Sequence, residues 1–86
     1  MRVDGDSMTG TGIYDKDIIV VDTSLKAKNN DIVVARIEDE FILKRLVKTL
    51  TGYVLKAENV QYPPIELTEY SDCIICGVVT YTIHKP

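Results

Sequence analysis

The sequence predicts an all-β protein, a single compact domain of mostly antiparallel strands with minimal helix. Its 86 residues are enough for one domain with a modest core, so residues 1–86 are assigned to one unit. Short runs rich in β-branched residues alternate with turn residues along most of the chain. No segment keeps the apolar period of an amphipathic helix, which favours strands throughout.

Six apolar runs are the predicted strands, in chain order residues 17–22, 31–37, 40–47, 53–56, 65–67 and 73–84. Glu38 and Asp39 form a tight turn between the second and third runs, which predicts a hairpin. Gly77 lies inside the last run, where a glycine indicates a bend or a bulge. Because this run is long and comes last, we expect it at a sheet edge, where open backbone groups favour a second copy.

Composition argues against several functional classes. A formal net charge of −3 and a pI near 5.0 leave no basic surplus for phosphate contacts, so we expect no direct DNA binding. No apolar run approaches the roughly 20 residues that cross a membrane. Two cysteines and no signal-peptide pattern indicate a cytoplasmic location. Cys73 and Cys76 have C-x-x-C spacing, but no second pair completes a zinc site, and we predict no metal and no other cofactor.

The candidate nucleophile is Ser7, in the segment Gly5-Asp6-Ser7-Met8. A serine hydroxyl attacks well only when a neighbouring base takes its proton. The one histidine, His84, lies near the end of the chain and is a weak candidate for that base. A lysine must be neutral to serve, and lowering its pKa from ~10.4 to near 7 corresponds to roughly 4.6 kcal/mol. Burial among apolar groups or a nearby positive charge is what lowers a lysine pKa that far.

Lys44 is the candidate base because it lies in the middle of the third predicted strand. Ile42 and Leu46 share its face at two-residue spacing, whereas Arg45 faces the other way. Lys48 is expected in solvent where the strand ends. A lysine in an amphipathic strand more often faces water, so the pattern alone leaves both orientations of Lys44 open.

Together, these two motifs resemble the LexA/UmuD family of serine-lysine self-cleaving peptidases. Ser7 is followed 37 residues later by Lys44, within the strand Glu40–Leu46. The resemblance covers essentially the whole chain, since three further segments fall in the family's order: Gly12–Asp17, Val20–Asp22 and Gly77–Val79. One position departs from the family pattern, because Lys16 stands where the family usually has glycine between two acids. If that turn requires a positive φ, Lys16 carries backbone strain.

The resemblance implies that Ser7 attacks a peptide carbonyl and that neutral Lys44 acts as the general base. The backbone N–H groups of Asp6 and Ser7 would form the oxyanion hole. The walls of the cleft would be Met8, Ile42 and Leu46. In the family, the scissile bond is an Ala-Gly or Cys-Gly bond upstream of the serine, so we expect it in a segment that precedes residue 1. Cleavage there is intramolecular and is stimulated by the RecA filament on single-stranded DNA after DNA damage.

Within the family, Gly10–Ile13 and Val79–His84 look most similar to the UmuD branch, whose members are accessory subunits of a translesion polymerase. The expected partners are therefore a second copy, through residues near Ile74–Ile83, the RecA filament and a UmuC-like polymerase subunit, with no membrane contact. Two alternatives stay open. The domain is the dimerisation and self-cleavage domain of a LexA-type or phage-type repressor, or it is a non-catalytic interaction module of the same fold.

Overall fold

The computed structural model of the protein describes residues 1–3, 13–58, 64–66 and 74–84. These residues form six strands: β1 (Ile18–Asp22), β2 (Ile32–Ile37), β3 (Glu40–Thr49), β4 (Gly52–Lys56), β5 (Ile65–Glu66) and β6 (Ile74–Ile83). The strands make one sheet in the order β1-β6-β2-β3-β4-β5, and all neighbouring pairs are antiparallel. The predicted all-β, antiparallel fold is confirmed. No helix that could cross a membrane occurs in the described part of the chain.

Two consecutive hairpins place β3 inside the sheet. Ile37 pairs with Glu40 across the predicted turn, and Glu38 adopts a φ of 56° within it. The second hairpin joins β3 to β4 and ends at Gly52, whose φ of 148° is easily reached only by glycine. Since β3 pairs with β2 on one side and β4 on the other, its central residues are shielded at both edges.

The last strand does not lie at a sheet edge, so that expectation was wrong. β6 pairs with β1 on one side and β2 on the other. It carries apolar side chains on both faces of the sheet, for example Val78 and Val79, and both pack against a core cluster. An internal position in the sheet also pairs its backbone on both sides. The outer strands are β1 and β5, and Arg2 forms a bridge with Ile18 along the outside of β1.

The predicted irregularity at Gly77 is present. The register of β6 shifts twice, by one extra residue at Cys76 against β2 and by another at Thr80 against β1. A Cβ atom on Gly77 would lie 2.6 Å from Val21 Cγ1 and 3.0 Å from the Asp22 carbonyl oxygen. A side chain at position 77 would therefore clash with the end of the neighbouring strand β1, so glycine is required there.

The sheet has an apolar cluster on each face. The cluster on what we call the first face contains Val3, Ile13, Ile19, Val34 and Leu43. The cluster on the second face contains Val33, Ala35, Leu46, Leu55 and Val78. Because side chains alternate along a strand, Leu43 and Lys44 point to different faces, and Lys44 lies on the second.

The turn before β1 contains the strain expected at Lys16. Lys16 has a φ of 70°, a conformation that non-glycine residues seldom adopt. Its N–H donates to the carbonyl oxygen of Val3 at 2.6 Å, and the turn closes where the Asp17 N–H donates to the Tyr14 carbonyl oxygen at 3.1 Å. These hydrogen bonds hold the turn in a shape that glycine would adopt at lower cost.

Candidate active site

Lys44 lies at the centre of the sheet and is buried, with only 7% of its surface exposed. Ile42 and Leu46 flank it on the second face, as expected, and Val33 lies directly opposite it on β2. Extending the β3–β4 register by one residue brings Ala57, which is also buried, to the level of Lys44. The sheet thus resolves the orientation that the sequence left open.

Burial lowers the pKa of the Lys44 amine. The physical cause is desolvation, since removing water penalises the ammonium form more than the neutral amine. A neutral amine has a lone pair and accepts a proton, which an ammonium group cannot do. The lowered pKa therefore favours the neutral form, which is the form that a lysine general base uses.

The two other cations of this strand segment lie away from Lys44. Arg45 lies opposite Ile32, whose side chain packs on the first-face cluster. The Arg45 guanidinium donates to the Glu58 carboxylate and, at 2.6 Å, to the Asn30 carbonyl oxygen. Lys48 is exposed. Both placements agree with the expectations from the sequence.

The remaining predicted site residues, Asp6, Ser7 and Met8, lie outside the described residues. The nearest described residues on either side are Val3 and Ile13, and both are buried in the first-face cluster. That cluster also contains Leu43, the residue before Lys44 in the chain.

A second buried ionisable group lies before β1 and was not singled out from the sequence. Asp17 is only 3% exposed, and its carboxylate accepts a hydrogen bond from the Tyr14 N–H at 2.8 Å. His84 Nδ1 lies 2.5 Å from the other carboxylate oxygen, and the His84 ring is tilted against that of Tyr14. These contacts lower the pKa of Asp17, the Tyr14 N–H being the largest cause. The pairing of β1 with β6 explains this contact. Extending the β1–β6 register by one residue beyond Ile18 and Ile83 places Asp17 opposite His84.

The described residues contain no cluster of three or more histidine, cysteine or acidic side chains arranged to hold a metal. Cys76 is a half-buried free thiol packed against the first-face cluster, and Cys73 lies outside the described residues.

Comparison with known proteins identifies the family. Residues 1–80 match the model described as Peptidase S24-like. The chain belongs to the Peptidase S24-like family. It is 40% identical to the LexA repressor of Ectopseudomonas mendocina over 86 residues, which are 99% of this chain and 42% of that protein. It is 45% identical to the LexA repressor of Delftia acidovorans over 85 residues, 99% of this chain and 38% of that protein. Against the LexA repressor of Shewanella piezotolerans, identity is 45% over 67 residues, 78% of this chain and 32% of the relative. The chain thus spans less than half the length of these relatives.

Proposed function

We propose that this S24-like domain is the self-cleavage and dimerisation domain of a LexA-type repressor, with a Ser7–Lys44 dyad. The observation that carries the proposal is the burial of Lys44 among apolar side chains at the sheet centre, which lowers its pKa. The similarity to LexA repressors over 99% of the chain favours the repressor assignment.

In this mechanism the neutral Lys44 amine takes the proton from the Ser7 hydroxyl as its oxygen attacks the peptide carbonyl. The resulting ammonium group then gives that proton to the leaving amine, so Lys44 ends the acylation step neutral again. Backbone N–H groups of Asp6 and Ser7 stabilise the oxyanion. The cleft is walled by Met8, Ile42 and Leu46.

The substrate in this proposal is an Ala-Gly or Cys-Gly bond in the same polypeptide, upstream of residue 1. The RecA filament on single-stranded DNA stimulates its cleavage in the cytoplasm, which makes the domain a switch of the SOS response. The domain itself makes no direct DNA contact, in keeping with its net charge of −3.

The UmuD-like role is the second candidate, supported by the similarity of Gly10–Ile13 and Val79–His84 to that branch. A UmuD-like protein would have a short upstream tail and a UmuC-like polymerase partner, whereas a repressor would have a folded DNA-binding domain. The coding sequence upstream of residue 1 separates the two. A non-catalytic module of the same fold is the third candidate, and it predicts no cleavage in any variant.

Dimerisation is supported by an exposed apolar surface on the second face. Ile18 lies opposite Ile83, and Val20 lies opposite Tyr81, so the four side chains form two adjacent cross-strand pairs. All four are exposed. We call them the β1–β6 patch. Contiguous exposed apolar surface of this kind marks interaction sites, and the interface proposed here is face-to-face packing instead of edge pairing.

The decisive experiment is a cleavage assay on the protein with its native upstream segment, incubated with RecA, single-stranded DNA and a nucleotide that keeps the filament active. We expect a cut upstream of residue 1 in the unmodified protein and none in Ser7→Ala. An uncut protein, or equal cutting of the Ser7→Ala variant, would reject the dyad.

A further inference from the structure

Lys44 belongs to a row of side chains that crosses four neighbouring strands on the second face. It lies opposite Val33, which lies opposite Val78, which lies opposite Asp22. Directly opposite residues in antiparallel strands share a face, and their Cβ atoms are about 5 Å apart. Val33 is 0% exposed and Val78 is 7% exposed. The first two neighbours of Lys44 in this row are therefore buried valines.

Val78 reaches the row because of the irregularity at Cys76 in β6. Ile75 lies opposite Ala35 on the second face, and simple alternation from Ile75 would turn Val78 to the first face. The extra residue at Cys76 reverses the alternation, and the extra residue at Thr80 reverses it again. The bulge at Cys76 thus turns Val78 toward the second face and Gly77 toward the first, and the bulge at Thr80 affects only the residues after it.

The charged groups of this face lie around the row and not within its buried part. The other titratable side chains that the register places on the second face are Arg2, Asp22, Asp31, Glu40, Lys48, Tyr53 and Tyr81. Each is exposed or half-buried. Asp22 accepts hydrogen bonds from Ser24, and Asp31 accepts one from the Lys28 N–H, so these two acids are held locally.

We propose that Val33 and Val78 are positioning residues for the general base, excluding water from the Lys44 amine and fixing its side chain in the cleft. Val33 excludes water from Lys44 directly, because it lies opposite Lys44. Val78 lies on the far side of Val33 and acts through it. The inference rests on the proposed role of Lys44, but it concerns residues outside the dyad and its walls.

The first test measures the pKa of Lys44 by NMR, with the protein labelled at the lysine ε-carbon. Val33→Thr keeps the shape of the side chain and adds a hydroxyl that draws in water. We expect it to raise the pKa of Lys44 by about one unit, which is a roughly tenfold smaller neutral fraction at neutral pH. Val78→Thr is expected to raise it less.

The matched control is Val34→Thr, in the next residue of the same strand. Val34 is 3% exposed but packs on the first face. Its substitution is expected to cost similar stability and to leave the pKa of Lys44 unchanged. An equal rise in the control, or no rise in folded Val33→Thr, would overturn the proposal. If Val33→Thr does not fold, Val78→Thr decides, and an unchanged pKa there overturns it.

The second test is cleavage of the protein with its upstream segment. The rate–pH profile of Val33→Thr should move to higher pH with the same plateau, whereas that of Val34→Thr should not move. A shifted pKa in a protein that never cleaves would reject the proposed function, and with it positioning for catalysis, and keep only the effect of the valines on the pKa of Lys44. Cleavage that depends on Ser7 and Lys44, with an unshifted profile in the valine variants, would reject positioning and keep the function.

Discussion

Lys44 and Asp17 are both buried ionisable groups, but their surroundings differ. Lys44 lies among Val33, Ile42 and Leu46, and burial lowers its pKa toward the neutral form. Asp17 receives the Tyr14 N–H and lies against His84, and these contacts lower its pKa in favour of the charged form. Burial among apolar side chains disfavours a charge, whereas hydrogen-bond donors around a buried carboxylate favour it. The first environment suits a base and the second suits a structural link between chain segments.

The largest effect is expected at the dyad. Ser7→Ala and Lys44→Ala should each lower cleavage at least about a thousandfold, because one removes the proposed nucleophile and the other its proposed base. The double variant should be no worse than either single one, since the two groups act as a unit. Lys44→Arg should be equally inactive because a guanidinium stays charged. Gel quantification of the cleaved product is the measurement, with circular dichroism as the control for folding. Near wild-type cleavage by Lys44→Ala would assign the base elsewhere.

The pH dependence of cleavage tests whether the buried Lys44 is neutral when it acts. Cleavage should rise with pH through the folded pKa of Lys44 and level off above it, with the rise below the ~10.4 of a free lysine. Between the folded and unfolded pKa values the unfolded chain binds more protons, so the free energy of unfolding should also rise with pH there. Ile42→Ser or Leu46→Ser should move the cleavage profile to higher pH by wetting the site. A rate that is flat from neutral to strongly alkaline pH contradicts a lysine base.

The β1–β6 patch is expected to control assembly. The unmodified chain should be a dimer at micromolar concentration, and Tyr81→Asp should weaken that dimer at least about tenfold by placing a charge in an apolar contact. Sedimentation equilibrium measures both. Phe41→Asp is the control, since Phe41 is equally apolar and exposed but lies on the first face, away from the patch. A monomer of 9.7 kDa for the unmodified chain would exclude the dimer. Equal weakening by both variants would exclude this interface.

The smallest effect is expected at Asp17, and it concerns stability and not cleavage. Because its folded pKa is lowered, Asp17 stabilises the fold above its unfolded pKa, and this contribution is lost as pH falls through the folded pKa. Asp17→Asn should therefore lower the thermal midpoint at neutral pH by several degrees and flatten the loss of stability in acid. Thermal denaturation followed by circular dichroism between pH 2 and 7 measures this. Asp39→Asn, at the exposed β2–β3 turn, is the control. If the thermal midpoints of Asp17→Asn between pH 2 and 7 match those of the unmodified protein, Asp17 does not stabilise the fold through its contacts with Tyr14 and His84.

Local features of the chain were predictable from the sequence. The strain at Lys16 was expected from its departure from the family pattern, and its φ of 70° agrees. The strands, the turn at Glu38 and Asp39 and the irregularity at Gly77 follow from alternation and turn chemistry. Each of these depends on residues a few positions apart, which is why a single sequence contains the information. Ser7 and its pairing with Lys44 stay a prediction from the sequence motifs.

Only the tertiary structure decided the features that depend on strand pairing. The sequence placed β6 at an edge, but pairing with β1 and β2 put it inside the sheet and joined Asp17 to His84. The burial of Lys44 was equally undecided, because an amphipathic strand shows which side chains share a face and not what covers that face. Val33 and Val78 became its neighbours through the registers of three strands and the bulge at Cys76, which bring together residues distant in the chain. Cross-strand contacts form through long-range packing, and local patterns do not specify them.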